Sequence, residues 1–361
     1  MSARLEIADE CFNHKSEYVP IITVNHLSDT PSVPVTPSKP QPKDNEIIYK
    51  SYYSEVVVPY EKAVFGANVI SNVYNGEYGV ITFDATVTNI GYSAFSDNDY
   101  ITEVYIPNGV TEVNNYAFSN CDRLEVVEFG KSVTKIGQYS FLNDVNLKSI
   151  VIPDSVTIID VSAFEACNKL QSVEIGDSVE TVGSNAFYDC SELTTVVLGE
   201  KVKEIHNNAF CGCVYLTTIN FPERLEHIYP SAFSGCDSLT SVVLPDSLKT
   251  LGSYAFSSCD KLTNVDFGEG VTSLGDYCFR MCPKLKTVTI PASVTTIGSY
   301  AFEECSTLST VYCEPTTPPT LGYGAFAYNA ENRVIYVPAS AVSAYQSKWS
   351  TYKNVIFAGS F

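Results

Sequence analysis

The stretch Leu285-Lys286-Thr287-Val288-Thr289-Ile290-Pro291-Ala292-Ser293-Val294-Thr295-Thr296-Ile297-Gly298-Ser299-Tyr300-Ala301-Phe302-Glu303-Glu304-Cys305-Ser306-Thr307 decides how the chain folds, because Leu308 begins the pattern again. Its first position recurs every 23 residues as Ile101, Leu124, Leu147, Leu170, Leu193, Leu216, Leu239, Leu262, Leu285 and Leu308. Five residues after each of the first nine come Ile106, Phe129, Ile152, Ile175, Leu198, Phe221, Leu244, Phe267 and Ile290, always followed by Pro or Gly. Later in the unit an Ala-Phe pair recurs, from Ala117-Phe118 to Ala301-Phe302, varied as Ser140-Phe141 and Cys278-Phe279. A fixed period of this length means a repeat architecture, so the 361 residues are not divided into two ordinary domains.

One unit cannot fold alone, since ordering its backbone costs more than burying its few apolar side chains returns. Stacking solves this: each turn buries both faces against its neighbours and adds a strand to a parallel sheet. Within the quoted unit, Val288 and Ile290 point inward while Thr287 and Thr289 point outward, which reads as a short strand ended by Pro291. Val294 to Gly298 reads as a second extended segment with a turn, and Ser299 to Cys305 as one helical turn on the outer face. The expected fold is a strand-rich α/β repeat solenoid of about ten rungs, on the order of 50 Å long.

The pattern Leu285-x-x-Val288-x-Ile290-Pro291-x-x-Val294-x-x-Ile297-Gly298-x-x-Ala301-Phe302-x-x-Cys305 closely resembles the BspA-like leucine-rich repeats. The resemblance implies a right-handed coil, spans about residues 79 to 330, and continues into a terminal cap. The cap residues are Cys313-Glu314-Pro315, Pro318-Pro319, Ala325-Phe326, Val334-Ile335-Tyr336-Val337-Pro338, Ala344-Tyr345, Trp349 and Tyr352. It also implies a surface protein that binds host matrix, cells or glycans, with relatives in gut Bacteroides-type bacteria, their phages and anaerobic protists. The family has no common binding residues to carry over.

Residues 28 to 45 include Pro31, Pro34, Pro37, Pro40 and Pro42 among polar residues, the composition of an extended linker. The expected layout is a leading segment at 1 to 27, this linker, an N-terminal cap at 46 to 78, the repeats at 79 to 330 and a C-terminal cap at 331 to 361. Leu5, Ile7, Phe12, Tyr18, Val19, Ile21, Ile22 and Val24 leave two readings of the leading segment, one that docks into an assembly partner and one of a plain tail without a packed structure. The first residues, Met1-Ser2-Ala3-Arg4-Leu5-Glu6, lack the basic start and apolar core of a secretory signal.

A net charge of -19 disfavours nucleic acid and anionic membrane surfaces as partners, since both need clustered Lys and Arg. No apolar run reaches the ~20 residues of a membrane span, so no membrane insertion is expected. Of the 12 cysteines, Cys121, Cys167, Cys190, Cys213, Cys236, Cys259, Cys282 and Cys305 follow the period, with Asp144 in one gap. A column of parallel like residues does not converge on an ion, so these read as small buried hydrophobes and neither a metal nor another cofactor is expected. His206 and His227 read as turn or solvent-facing residues, and nucleophile elbows, zinc-protease motifs and phosphate loops are absent from the sequence. No catalytic residues are therefore assigned. The candidate binding face is the outward strand position Tyr105, Glu128, Val151, Glu174, Val197, Asn220, Val243, Asp266 and Thr289. It suits a protein or glycan on a cell surface, bound without chemistry by a protein at the cell surface or outside the cell. The alternative is a virion component anchored by residues 1 to 27 that displays the repeats for host attachment.

Overall fold

The computed structural model describes residues 39–60 and 64–360. The leading segment at 1 to 27 and most of the linker at 28 to 45 lie outside the described residues. Every element below belongs to the compact unit that starts at Pro40.

Each rung turns its periodic residues inward. Leu285, Val288, Ile290, Val294, Ile297, Ala301, Phe302 and Cys305 are all buried. Their counterparts one rung away lie beside them, because strands pair in parallel at an offset of 23 residues, as in Ser172 with Thr195 and Ile205 with Ile228. A slip of one residue would turn every apolar side chain to solvent, so the apolar pattern holds the register. The two extended segments of each rung build two sheets. Longer strands such as Ser172–Ile175 and Thr287–Ile290 make the front sheet. Two-residue strands make a side sheet of 11 rungs from Asn89–Ile90 to Thr320–Leu321, where about ten were expected. The front sheet is interrupted twice, after Thr218–Asn220 and after Asn264–Asp266.

The helical turn expected at Ser299 to Cys305 is instead a pair of tight turns. The N–H groups of Glu303 and Cys305 bond to Tyr300 O and Phe302 O in their own rung, whereas Phe302 and Glu304 donate to Ala325 O and Ala327 O in the next. An α-helix spends its interior N–H groups on its own carbonyls, so it has none to hold a neighbouring rung. Left-handed residues, Tyr300 (φ 58) and Glu304 (φ 57) here, turn alternate donors outward along the stack.

The stack aligns the phenylalanines into one column. From Phe95 to Phe326, successive rings lie 5.0 to 5.6 Å apart and within 8° of parallel. This is offset stacking, which a shared rotamer on equally spaced rungs produces. Phe65 closes the column at one end against Phe95, and Trp349 and Tyr352 close it at the other against Phe326. The ends are dressed in other ways as well. Strand β1 (Glu46–Ser51) runs antiparallel to the first front strand, Ile101–Tyr105, and to β3 (Gly79–Phe83), with β2 (Val69–Tyr74) outermost. At the far end helix α1 (Val342–Lys348) buries Tyr345, whose hydroxyl donates to Pro315 O, and Trp349 Nε1 donates to Pro319 O.

The cysteine column is buried as expected but is also polar in function. Each thiol points at the carbonyl of the phenylalanine 26 residues earlier, from Cys121 to Phe95 O at 3.1 Å through Cys305 to Phe279 O at 3.1 Å. Asp144 takes one place in this column with no exposed surface. Its Oδ1 accepts the Cys121 N–H at 2.8 Å, while Oδ2 has no partner. Burial pushes its carboxyl well above the usual range, which favours the protonated form in the folded chain.

Two outcomes are expected. Phe210→Ala should destabilise the fold by about 3–5 kcal/mol in chemical denaturation, since the hole lies between two fixed rungs. Asp144 binds its proton more tightly folded than unfolded, so its contribution is intact below the unfolded value near pH 4 and declines as pH rises toward the folded value. Asp144→Cys should therefore stabilise by ~1–3 kcal/mol at pH 7.5 and by much less at pH 4.5, which parallel denaturation curves at the two pH values would show.

Candidate functional site

The front strands present two outward positions each. One column carries small polar side chains, Ser149, Ser172, Thr195, Thr218, Ser241, Asn264 and Thr287. The other is the column singled out from the sequence. Seven of its nine members, Val151, Glu174, Val197, Asn220, Val243, Asp266 and Thr289, are exposed. Their order alternates valine with an acid or amide, and register puts Glu174 between Val151 and Val197 and Val243 beside Asp266. The valines are 59%, 53% and 61% exposed at positions 151, 197 and 243. Both sheet interruptions open shallow depressions here, one lined by Asn220, Phe221 and Val243, the other by Asp266, Glu269, Thr289 and Glu314.

The first two members do not share this face. Tyr105 is 5% exposed, because β1 pairs over its strand with Ile48 opposite it and Tyr78 packs edge-on against its ring. Its hydroxyl donates to Glu103, and burial followed by that carboxylate pushes the phenol up. Glu128 is half-buried. The antiparallel strand β1 covers Tyr105, which a repeat pattern alone does not reveal.

A second ordered surface was missed. Tyr254, Tyr277 and Tyr300 stack in parallel at 4.6 and 5.0 Å beside the Ala-Phe turns, and Tyr323 meets Tyr300 at 74°. Their 23-residue spacing was the available signal. The side sheet carries an exposed charge column, Glu180 to Lys203 at 2.9 Å and Glu226 to Lys249. The lysine hydrogen bonds hold both glutamates below the usual carboxylate range. Exposed pairs of this kind add little stability.

A family profile described as the BspA type leucine rich repeat region matches residues 66–194, 134–248 and 226–352 in overlapping stretches. The chain belongs to this family. Among solved structures, a leucine-rich repeat protein of Bacteroides ovatus is 24% identical, with 81% of this chain and 92% of that one covered and a TM-score of 0.46. A leucine rich cell surface protein of Faecalibacterium prausnitzii is 27% identical over 81% and 90%, with a TM-score of 0.39. The Treponema pallidum leucine rich repeat protein is 27% identical over 55% and 82%, also at 0.39. No curated protein matches the sequence.

In this BspA-type chain the other candidate groups are occupied by packing. His206 contacts Glu204 Oε2 at 3.1 Å and stacks on Tyr229, and His227 Nδ1 lies 2.9 Å from Thr250 Oγ1. His206 follows the strand Glu204–Ile205 at the start of the turn, and His227 sits in the side-sheet strand His227–Ile228, both partly exposed. Among the described residues, no group of three His, Cys, Asp or Glu side chains converges as metal ligands would. Burial raises the thiols of Cys167, Cys190, Cys213 and Cys236, which keeps them protonated and unreactive. Cys211 alone among the described cysteines is not fully buried. Iodoacetamide on the native protein should therefore label Cys211 well before the column from Cys121 to Cys305, read by peptide mass spectrometry. Equal labelling of the column without unfolding would contradict this packing.

Proposed function

We propose that this chain is a non-catalytic binding protein of the adhesion type. Its front-sheet face contacts a protein or glycan on a cell surface. One observation carries the reading: exposed valines alternate with acid and amide groups in exact strand register on a backbone that needs no ordering upon contact. Apolar contact supplies affinity there, and the interleaved Glu174, Asn220 and Asp266 supply hydrogen bonds and charge. An acidic chain of net charge -19 favours a neutral or cationic partner. We take residues 46 to 78 and 331 to 361 as caps for the repeats at 79 to 330, and residues 1 to 27 as an assembly segment joined through the linker at 28 to 45. The family resemblance favours a position at the cell surface or outside the cell, and the anchor-linker-display layout favours the alternative, display from a virion.

The test is binding of the full chain to gut-bacterial and epithelial cells by flow cytometry, beside Val197→Asp and Glu174→Ala, both solvent-facing. A loss of about tenfold in each, with unchanged thermal unfolding, is the expected result. Undiminished cell binding by both variants would move the contact off this face.

A further inference from the structure

At the C-terminal end, the last turns and the segment that follows α1 enclose an open cleft of about 700 Å³. The volume lies in the ~300–1,000 Å³ range of sites for small ligands. The tyrosine column leads into it. Tyr300 forms one wall, Tyr323 stands nearly perpendicular to it, and Tyr328 and Tyr352 face the same space. Tyr323 and Tyr328 are 79% and 75% exposed. Tyr328 also has φ 54 at a rung position that elsewhere holds acidic, amide, small or aliphatic residues, among them Asp97, Ala166, Gly212, Met281 and Glu304, all of them left-handed. Of the residues at that position it is the sole aromatic. Nothing in the packing explains a large ring placed there facing solvent.

The floor is rigid. Arg333 lies under the rings of Phe326 and Tyr352 at 5.8 and 5.0 Å, and its Nη1 donates to Phe326 O and Asn329 Oδ1. The rim differs in character, with Glu331, Ser350 and Thr351 making no side-chain hydrogen bond among the described residues. Ring faces set at an angle and ringed by unpaired hydroxyl and carboxylate groups match a ligand with C–H faces and hydroxyl edges. We propose that this cleft is a saccharide-binding site, separate from the front-sheet face, that takes a neutral oligosaccharide. Tyr323 and Tyr328 stack on sugar rings there, and Glu331, Ser350 and Thr351 read hydroxyls. Neutrality follows from a lining whose charges balance, Glu303 and Glu331 against Arg333 and Lys348, with Glu303 paired to Arg280 and both cations engaged by carbonyl oxygens, Lys348 by Pro318 O and Arg333 by Phe326 O.

The sequence contains a single tryptophan, Trp349, and it lines this cleft, so its emission reports on the site. The full chain would be titrated with β-1,4-glucan, β-1,3-glucan and α-1,6-mannan hexasaccharides and with a sialylated trisaccharide. A proline-rich peptide would serve as a competing class, since aromatic grooves also take such peptides. The expected result is a saturable emission change with at least one neutral sugar. Tyr323→Ala and Tyr328→Ala should each weaken it by about tenfold, with unchanged thermal unfolding. Val197→Asp on the front sheet should leave it intact, which keeps this site's fate independent of the adhesion face. The proposal is overturned by the absence of saturable change and of calorimetric heat with every neutral sugar. Equal affinity in both tyrosine variants, or binding of only the peptide or the sialylated sugar, overturns it as well.

Discussion

Successive rungs of this protein are held together by backbone hydrogen bonds at an offset of 23 residues, changed only at the C-terminal end, and the rest of the structure answers to that requirement. A buried N–H or C=O without a partner is costly, so each segment of a rung must aim donors along the stack as well as within itself. In the strands this is the ordinary parallel ladder. At the Ala-Phe turns it is met by left-handed residues that send alternate N–H groups to the neighbouring rung. The segment is neither helix nor strand for that reason.

A fixed offset also sets like upon like. Where the shared residue is phenylalanine, rings stack at nearly constant spacing, and where it is cysteine, each thiol reaches a carbonyl of the rung before. The same geometry penalises exceptions, and Asp144 is buried with one oxygen that no protein group of the column pairs. On the surface the rule becomes alternation: Glu180, Lys203, Glu226 and Lys249 pair by sign along the side sheet. Columns of one charge would repel at this spacing.

Outward positions escape the constraint, and there the rungs differ from one another. The front sheet offers a stripe of alternating valine and polar residues, broken by two shallow depressions. The C-terminal end offers a tyrosine-walled cleft closed by residues that no longer obey the repeat. A rigid scaffold that varies only in its outward residues is suited to recognition, since contact orders little that was mobile.

The 23-residue spacing of Leu124, Phe118 and Cys167 and their counterparts determined the stacked architecture, the inward columns and which strand position faces out. Those are consequences of local periodicity, and periodicity is fully present in the sequence. The tertiary structure alone decided three matters. It buried Tyr105 under β1, because an antiparallel cap strand pairs across a sheet edge that no repeat position records. It replaced a helical turn at Ser299 to Cys305 by cross-rung turns, because the competition for each N–H is settled by a neighbour 22 or 23 residues away. It also brought Tyr323 and Tyr328 together with Trp349 and Tyr352, since residues outside the period meet only where the chain closes over its own end.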